Sequence, residues 1–265
     1  MGKVLQSNGL AVYLTEIKHE FRTYENEIQV ENGSAKFHEL RADSISASRI
    51  AEVVGLSKYG MPRGCAEGYY TPKEENEAMI LGKTEEPHTR EDFLKRTRWR
   101  VPLRECGMFF MNKNKRMSAM PDDVAFINGA EVCIEYKFLC HPYANDYPKL
   151  EHVCQCVWQL GISGMRSRGY LVYRWKEGDE YKMRVWEIVW SEKFFRWMMY
   201  RAVLFSSYLD NPCTDTLPCY SHNYHAVNNM LQKGTWFNET VNNDATDMIP
   251  PGPCVHKLDF GQLCT

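Results

Sequence analysis

The chain has 265 residues and a mass of 31.0 kDa, a length that fits one large domain or one domain with an appendage. Hydrophobic residues make up 44% of it and charged residues 25%, which supplies a core and excludes a disordered body. The net charge of −2 and the pI of about 6.5 exclude a generally basic nucleic-acid coat protein. Because the sequence contains no run of about 18 apolar residues, we expect no transmembrane helix.

The first long helix is predicted to begin at Thr71-Pro-Lys-Glu74. In this stretch the threonine is a suitable N-cap, the proline fits the first turn and the glutamate completes a capping box. The helix is expected to run toward Arg98, with a break near Pro87. Glu86 and Arg90 are four residues apart in it and therefore share one face.

Three strands are predicted next, at residues 101–111, 116–128 and 131–139. Asn128-Gly129 lies between the last two, and this dipeptide is typical of a tight hairpin turn. These two strands are therefore expected to be antiparallel neighbours.

A helix is predicted over residues 148–163, with an apolar stripe that repeats every three to four residues. Gln155 and Gln159 form a second stripe, which either faces the strand at 131–139 or is exposed. Two further strands, near 168–175 and 181–190, are predicted to follow.

The chain ends differently from its middle. A helix rich in Phe, Trp and Met is predicted over 191–209, and the segment after it has many Pro and Asn residues. We therefore divide the chain into an N-terminal extension at 1–36, a catalytic domain at 37–210 and an irregular C-terminal tail at 211–265.

Three side chains suggest the chemistry. Asp122 directly follows Pro121, and Glu135 and Lys137 are two residues apart on a predicted strand, so that they point to the same face. If Asp122 ends the neighbouring strand, two carboxylates converge on one divalent ion. Mg²⁺ suits such a site, because it binds a few carboxylates together with substrate phosphate and can activate a water molecule.

Four further sequence blocks accompany this pattern. In chain order they are His38-Glu-Leu-Arg41 with Ile45-Ser-Ala-Ser48-Arg-Ile50, then Gly82-Lys-Thr-Glu-Glu86, then Gln155-Cys-Val-Trp-Gln159, and Arg168-Gly-Tyr-Leu-Val-Tyr173. With the acidic pattern in its place among them, the sequence resembles the exonucleases related to phage lambda exonuclease and the YqaJ viral recombinases. That family belongs to the PD-(D/E)xK nuclease superfamily, and the resemblance spans roughly residues 37–173.

The resemblance implies a fold and an activity. The fold is α/β, a PD-(D/E)xK nuclease core with a central mixed β-sheet flanked by helices. The activity is Mg²⁺-dependent digestion of double-stranded DNA, with Mn²⁺ able to substitute. It runs 5′→3′ from phosphorylated ends and leaves 3′ single strands for recombination or repair.

The resemblance also implies roles for particular residues. The catalytic set is Asp122, Glu135, Lys137 and Gln155. The metal ligands are Glu86, Asp122, Glu135 and the backbone carbonyl of Tyr136. The site for the 5′ phosphate of the DNA end is Arg41 with Ser46 and Ser48.

Three positions depart from the family pattern. Met120 replaces the usual serine, Asp123 replaces a glycine that permits an unusual turn, and Val157 stands where a second glutamine is common. Asp123 competes with Asp122 as the metal ligand in this pattern. We favour Asp122 because it directly follows Pro121.

The partners follow from the same resemblance. It implies double-stranded DNA ends as substrate, a single-strand annealing protein as partner and a homo-oligomer, a trimer in the family. An intracellular protein, of the cytoplasm or a host nucleus, is expected for a different reason: six of the cysteines lie in or beside predicted core elements, where we expect them to be reduced, and the N-terminus lacks the apolar segment of a signal peptide. An endonuclease, an RNA nuclease on the same fold and a non-catalytic nucleic-acid-binding protein remain as alternatives.

A second metal site is an open question in the tail. Cysteines and histidines are grouped loosely there, with spacing unlike that of a standard zinc finger. The residues are Cys213, Cys219, His222, His225, Cys254 and His256.

Overall fold

A computed structural model describes residues 19–60, 62–71, 75–98, 100–111, 116–211, 223–238 and 247–263, together with the backbone of 6–7, 10–11 and 241–243. Its α-helices are α1 (Ala35–Ala42), α2 (Ile50–Val53), α3 (Pro62–Glu67), α4 (Glu77–Arg96), α5 (Leu150–Ser163), α6 (Glu192–Asp210) and α7 (Tyr224–Gln232). Short 3₁₀ helices lie at Ala47–Arg49 and Phe260–Leu263.

The strands of the described chain are short at its ends and long in its middle. They are β1 (Gln6–Ser7), β2 (Leu10–Ala11), β3 (Glu27–Ile28), β4 (Ile45–Ser46), β5 (Leu103–Glu105), β6 (Met108–Phe110), β7 (Met117–Ala119), β8 (Asp123–Ile127), β9 (Ala130–Leu139), β10 (Arg168–Glu177), β11 (Glu180–Val189), β12 (Val241–Asn243), β13 (Asp247–Ile249) and β14 (Val255–Leu258).

The main sheet has six strands in the order β14-β11-β10-β9-β8-β5. Strands β9 and β10 are parallel and are connected through α5, whereas the other neighbours are antiparallel. The sheet is therefore mixed, as expected. A parallel pair needs a crossover connection, and α5 supplies one that covers the sheet between its two central strands.

Helices cover both faces of this sheet. On one face, α5 packs against Cys133 and Leu171 of the central strands. On the other, Phe93 of α4 packs with Ile134 and Tyr136. Glu135 points to the α5 face because side chains alternate along the strand.

The start of α4 differs from the prediction. The helix begins at Glu77 and is capped by Asn76, whose side-chain oxygen accepts a hydrogen bond of 2.9 Å from the Met79 amide. The cap at Thr71 is therefore wrong: asparagine is at least as good an N-cap as threonine, and Asn76 directly precedes the helix. Nor does the helix end at Pro87, which lies within the continuous element.

Two of the predicted strands are each divided. The segment 101–111 forms β5 and β6, and 116–128 forms β7 and β8, with the members of each pair in different sheets. Gly107 lies at the first division, close against the backbone of β3: a β-carbon there would lie 2.2 Å from the Ile28 carbonyl oxygen. Pro121 accompanies the second, since proline cannot donate a ladder hydrogen bond.

The remaining element predictions are confirmed within a few residues. Asn128 and Gly129 have φ values of 50° and 77°, the left-handed conformation that a tight hairpin between β8 and β9 requires. Helices α5 and α6 and strands β10 and β11 occupy the predicted segments.

Described parts of the predicted extension and of the predicted tail pack onto the domain. Strand β3 joins a second sheet of order β3-β6-β7-β4, and β14 forms the edge of the main sheet. Val227, Leu231 and Trp236 are fully buried in the large core. The boundaries at 36 and 210 stay predictions, but the extension and the tail each contribute a strand. None of the helices in the described ranges is long and apolar enough to cross a membrane.

Candidate active site

A cleft of about 1490 Å³ is lined by both residue groups that the sequence singled out. One group is acidic and the other surrounds Arg41. The lining residues from the predicted sites are Arg41, Ser46, Ser48, Glu86, Asp122, Glu135, Tyr136, Lys137 and Gln155.

The acidic group forms where β8 and β9 run side by side. Asp122 immediately precedes β8, and its Oδ2 accepts a hydrogen bond of 2.6 Å from the Tyr136 amide. Glu135 and Lys137 project from β9, and the Lys137 ammonium donates to the Glu135 carboxylate. Glu86 reaches the group from α4 and lines the same cleft as Asp122.

Two glutamines of α5 hold Glu135 from its other side. Gln155 Nε2 donates to Oε1 over 2.5 Å, and Gln159 Nε2 donates to Oε2 over 2.6 Å. Because the residues are one helical turn apart, their amides reach both oxygens of the same carboxylate. The prediction that this stripe faces the strand at 131–139 is confirmed, and the exposed alternative is wrong.

The charges in this group are unbalanced. Burial and the nearby Glu135 carboxylate raise the pKa of both Asp122 and Glu86. Burial opposes the charge on Lys137, but Glu135 and Asp122 outweigh it and raise the pKa of the ammonium. Three carboxylates therefore share one fixed cation.

The donor set fits a hard divalent cation. Carboxylate oxygens are the ligands that Mg²⁺ prefers, and its two charges would offset the excess of negative charge. In the present arrangement, no three Asp, Glu, His or Cys side chains among the described residues are spaced to hold a metal ion. The Lys137 ammonium and the Tyr136 amide occupy lone pairs of Glu135 and Asp122. The ligand roles of Glu86, Asp122, Glu135 and the Tyr136 carbonyl thus stay predictions.

Asp123 points away from this group. Its fully buried carboxylate receives hydrogen bonds from Arg90 Nε at 2.7 Å, Arg90 Nη2 at 3.2 Å and the Tyr136 hydroxyl at 3.1 Å. Asp122 and Asp123 lie on opposite faces because they are neighbours at the start of a strand. The geometry therefore favours Asp122 over Asp123 as a ligand.

The Arg41 group is built by α1 and the short segment after it. Arg41 Nη2 donates to Ser48 Oγ over 2.6 Å, and the hydroxyls of Ser46 and Ser48 are 3.2 Å apart. The Arg41 guanidinium also lies 5.5 Å from the centre of the Phe37 ring. Strand β4 ends at Ser46, where the 3₁₀ helix Ala47–Arg49 begins, so that the three polar side chains gather beside a helix start.

Sequence reasoning missed His152, which also lines the cleft. Its Nδ1 lies 2.5 Å from the Tyr173 hydroxyl. Burial and the nearby Lys137 lower the pKa of the imidazole, which is therefore neutral near pH 7. The sequence did contain a signal for His152: it lies three residues before Gln155 and therefore on the same face of α5.

The tail residues do not form a second metal centre in the described chain. Cys213, Cys219 and His222 lie outside the described residues. His225, Cys254 and His256 belong to no metal-binding group within the described ranges.

Comparison with solved structures identifies the fold. A crystal structure of an alkaline exonuclease, LHK-Exo, from Laribacter hongkongensis superposes with a TM-score of 0.54 and 20% identity, covering 68% of this chain and 94% of that one. The complex of LHK-Exo with dAMP gives a TM-score of 0.53 and 19% identity over the same shares of the two chains. None of the curated proteins matches the sequence. The fold is thus an exonuclease fold, with the central mixed sheet expected of a PD-(D/E)xK core.

The sequence comparison gives the family. Residues 36–166 match the YqaJ-like viral recombinase domain. This match confirms the resemblance seen in the sequence. The family match and the fold together support the interpretation that the protein is a nuclease.

Proposed function

We propose that this protein is a Mg²⁺-dependent DNA exonuclease that digests double-stranded DNA from its ends. The observation that carries the proposal is the convergence of Glu86, Asp122, Glu135 and Lys137 in one cleft with Arg41. A cleft of this kind joins a site for cutting a phosphodiester to a site for holding a phosphate. Mn²⁺ is expected to substitute for Mg²⁺, since both accept carboxylate oxygens.

The residues of the acidic group have separate tasks. Glu86, Asp122 and Glu135 would hold the cation, which when bound supplies Lewis-acid activation of phosphate and water. Gln155 and Gln159 fix the Glu135 carboxylate by donating to both of its oxygens. Lys137 keeps its proton because of the surrounding carboxylates, so that it can offset negative charge developing on the phosphate.

The Arg41 group is suited to the terminal phosphate. A guanidinium can donate two parallel hydrogen bonds to phosphate oxygens, and serine hydroxyls add further donors. Arg41 and Ser48 already lie in contact, so both can face one phosphate. With a 5′ phosphate held there, cutting would proceed 5′→3′ and leave a 3′ single strand for recombination or repair.

Two partner proposals follow from the family. A 3′ single strand is the substrate of a single-strand annealing protein, which we propose as the partner. A ring-shaped trimer would enclose the duplex and keep the enzyme on it. Light scattering of the purified protein tests the trimer independently of activity.

The first test compares linear duplex DNA with covalently closed circular duplex in Mg²⁺ and in EDTA. The proposal expects mononucleotides from the linear substrate, no cutting of the circle and no products in EDTA. A 3′-labelled linear duplex should retain its label until late, because digestion begins at the 5′ end. Rapid nicking of the circle would indicate an endonuclease, and cutting of RNA alone would indicate an RNA nuclease. No cutting with folded protein would indicate a binding protein.

A further inference from the structure

Helix α4 carries Glu86 and Arg90 one turn apart, beside the segment that contains Asp122 and Asp123. Arg90 binds Asp123 through both Nε and Nη2, and Glu86 lines the same cleft as Asp122. Residues four apart share one helix face. The Arg90–Asp123 pair therefore attaches the turn that carries Glu86 to the segment that carries Asp122.

Apolar packing contributes little to this part of α4. Only Thr89 and Phe93 have buried side chains among its 20 residues. Pro87 has no backbone N–H, so the Lys83 carbonyl loses its usual helical partner in the turn that carries Glu86. The position of Glu86 therefore depends on polar contacts.

Electrostatic repulsion acts against that position. Glu86 lies beside the carboxylates of Asp122 and Glu135, and like charges at short range favour separation. Arg174 also holds α4, through Glu85 and Asp92, but it belongs to β10, two strands away from β8 in the sheet. The Arg90–Asp123 pair is the link to the segment that bears Asp122 itself.

The pair also determines what Asp123 can do. Its carboxylate is fully buried, and its hydrogen bonds from Arg90 and the Tyr136 hydroxyl occupy both oxygens. If the Asp123 carboxylate turned toward the metal site, the Arg90 guanidinium would lose its partner. Removing one partner from a buried or partly buried ion pair is costly, because the other charge is left uncompensated.

We propose that Arg90 and Asp123 are positioning residues, which hold Glu86 at the metal site and keep Asp123 from acting as a ligand. The proposal rests on the function proposed above. Partners that orient metal ligands in this way typically change metal affinity by about 10–100-fold when they are removed.

The test measures Mn²⁺ binding to the full-length protein by calorimetry, without DNA, together with the melting temperature. We expect Arg90→Gln to weaken Mn²⁺ binding by about tenfold or more, and Arg90→Lys, which keeps one charged hydrogen bond, to recover part of the loss. Arg196→Gln is the matched control. It makes the same substitution in another arginine–carboxylate ion pair, the exposed pair of Arg196 with Glu192. It should leave Mn²⁺ affinity unchanged.

The double variant Arg90→Gln/Asp123→Asn separates positioning from stability. It leaves no unpaired buried charge, so its melting temperature should recover relative to Arg90→Gln while its Mn²⁺ affinity stays weak. Hydrogen exchange at the amides of residues 77–96 should be faster in both variants. If affinity follows the melting temperature across the set, or if folded Arg90→Gln binds Mn²⁺ as the wild type does, the positioning proposal is wrong. If the wild type itself binds no Mn²⁺, the proposed function fails first and the positioning role with it.

Discussion

Glu135 is the residue on which the candidate site depends most. Its side chain is buried and accepts hydrogen bonds from Lys137, Gln155 and Gln159. A buried carboxylate with this many donors keeps a single orientation. The neighbouring Asp122 accepts a hydrogen bond from the Tyr136 amide.

The first prediction separates metal binding from rate. Glu135→Gln and Asp122→Asn should each abolish DNA cutting, because each removes a charged ligand. Lys137→Ala should retain Mn²⁺ binding and lose roughly 10²–10³ in kcat, the usual effect of removing one electrostatic group. Calorimetry with Mn²⁺ and single-turnover digestion measure the two effects. Full activity in any of the three folded variants would refute the assignment.

The second prediction concerns pH. Burial raises the pKa of Asp122 and Glu86, so a proton must leave before these carboxylates bind a cation. The apparent affinity for Mg²⁺ should therefore rise with pH, while Lys137 keeps its charge because its pKa is raised. Titrations with Mg²⁺ over a series of pH values above the ordinary carboxyl pKa measure this dependence.

In the metal-free protein, the contribution of these two groups to stability changes with pH in the opposite direction. The native state holds the two protons more tightly than the unfolded chain, whose ordinary carboxyl pKa values are 3.8 and 4.5. The two groups should therefore increase the protein's free energy of unfolding at low pH. This contribution should be lost as the pH rises through their raised pKa values. Mg²⁺ should restore the stability at high pH. A Mg²⁺ affinity that does not change with pH would contradict the second prediction.

At the scale of the elements, local patterns predicted what lies within one element. Alternation along β9 placed Glu135 beside Lys137, and the helical repeat of α5 placed Gln155 beside Gln159. Contacts between elements were not predictable in this way. The pairing of Arg90 with Asp123 joins α4 to β8, and nothing in either segment alone specifies it.

The division of β5 from β6 shows a different limit. The segment 101–111 is predicted as one strand, but Gly107 within it lies against the backbone of β3. That close approach depends on a segment about 80 residues earlier in the chain. Sequence reasoning therefore merged two strands of separate sheets into one.

The third prediction tests that close approach. Gly107→Ala would place its β-carbon 2.2 Å from the Ile28 carbonyl oxygen. Rotation of a side chain cannot relieve this clash, because both atoms are attached directly to the backbone. We expect a loss of about 1–3 kcal/mol in the free energy of unfolding, as for other overpacked sites. Gly82→Ala is the control, because nothing lies within 4 Å of its added carbon and helix propensity favours alanine. Urea denaturation of both variants measures the difference, and equal stability of the two would refute the close approach.

At the scale of the molecule, residues far apart in the sequence line one cleft. Arg41 is contributed by α1, Glu86 by α4, Glu135 by β9 and His152 by α5. The N-terminal segment is fastened to β9, since Glu131 accepts hydrogen bonds from His19, the Arg22 amide and Tyr24. The resemblance supplied the cleft's main residues, but not these contacts, because His19, Arg22 and Tyr24 precede residues 37–173.

The fourth prediction uses a different cation on the whole protein. Ca²⁺ should support binding of duplex DNA but not its cleavage, because it is larger than Mg²⁺ and less strict in geometry. Fluorescence anisotropy of labelled duplex measures binding, and product analysis measures cutting. Rapid turnover in Ca²⁺ alone would contradict the proposed site.

The central claim is that the Arg41 group and the acidic group act together on one DNA end. The direct measurement is digestion of 5′-phosphorylated and 5′-hydroxyl duplex by the wild type and by Arg41→Ala. Losing a charged hydrogen-bond partner costs about 1.5–3 kcal/mol, which corresponds to tenfold or more in rate. The account predicts that loss on the phosphorylated duplex and a much smaller one on the hydroxyl duplex. An equal loss on both substrates, or a wild type that does not prefer the phosphate, would contradict it.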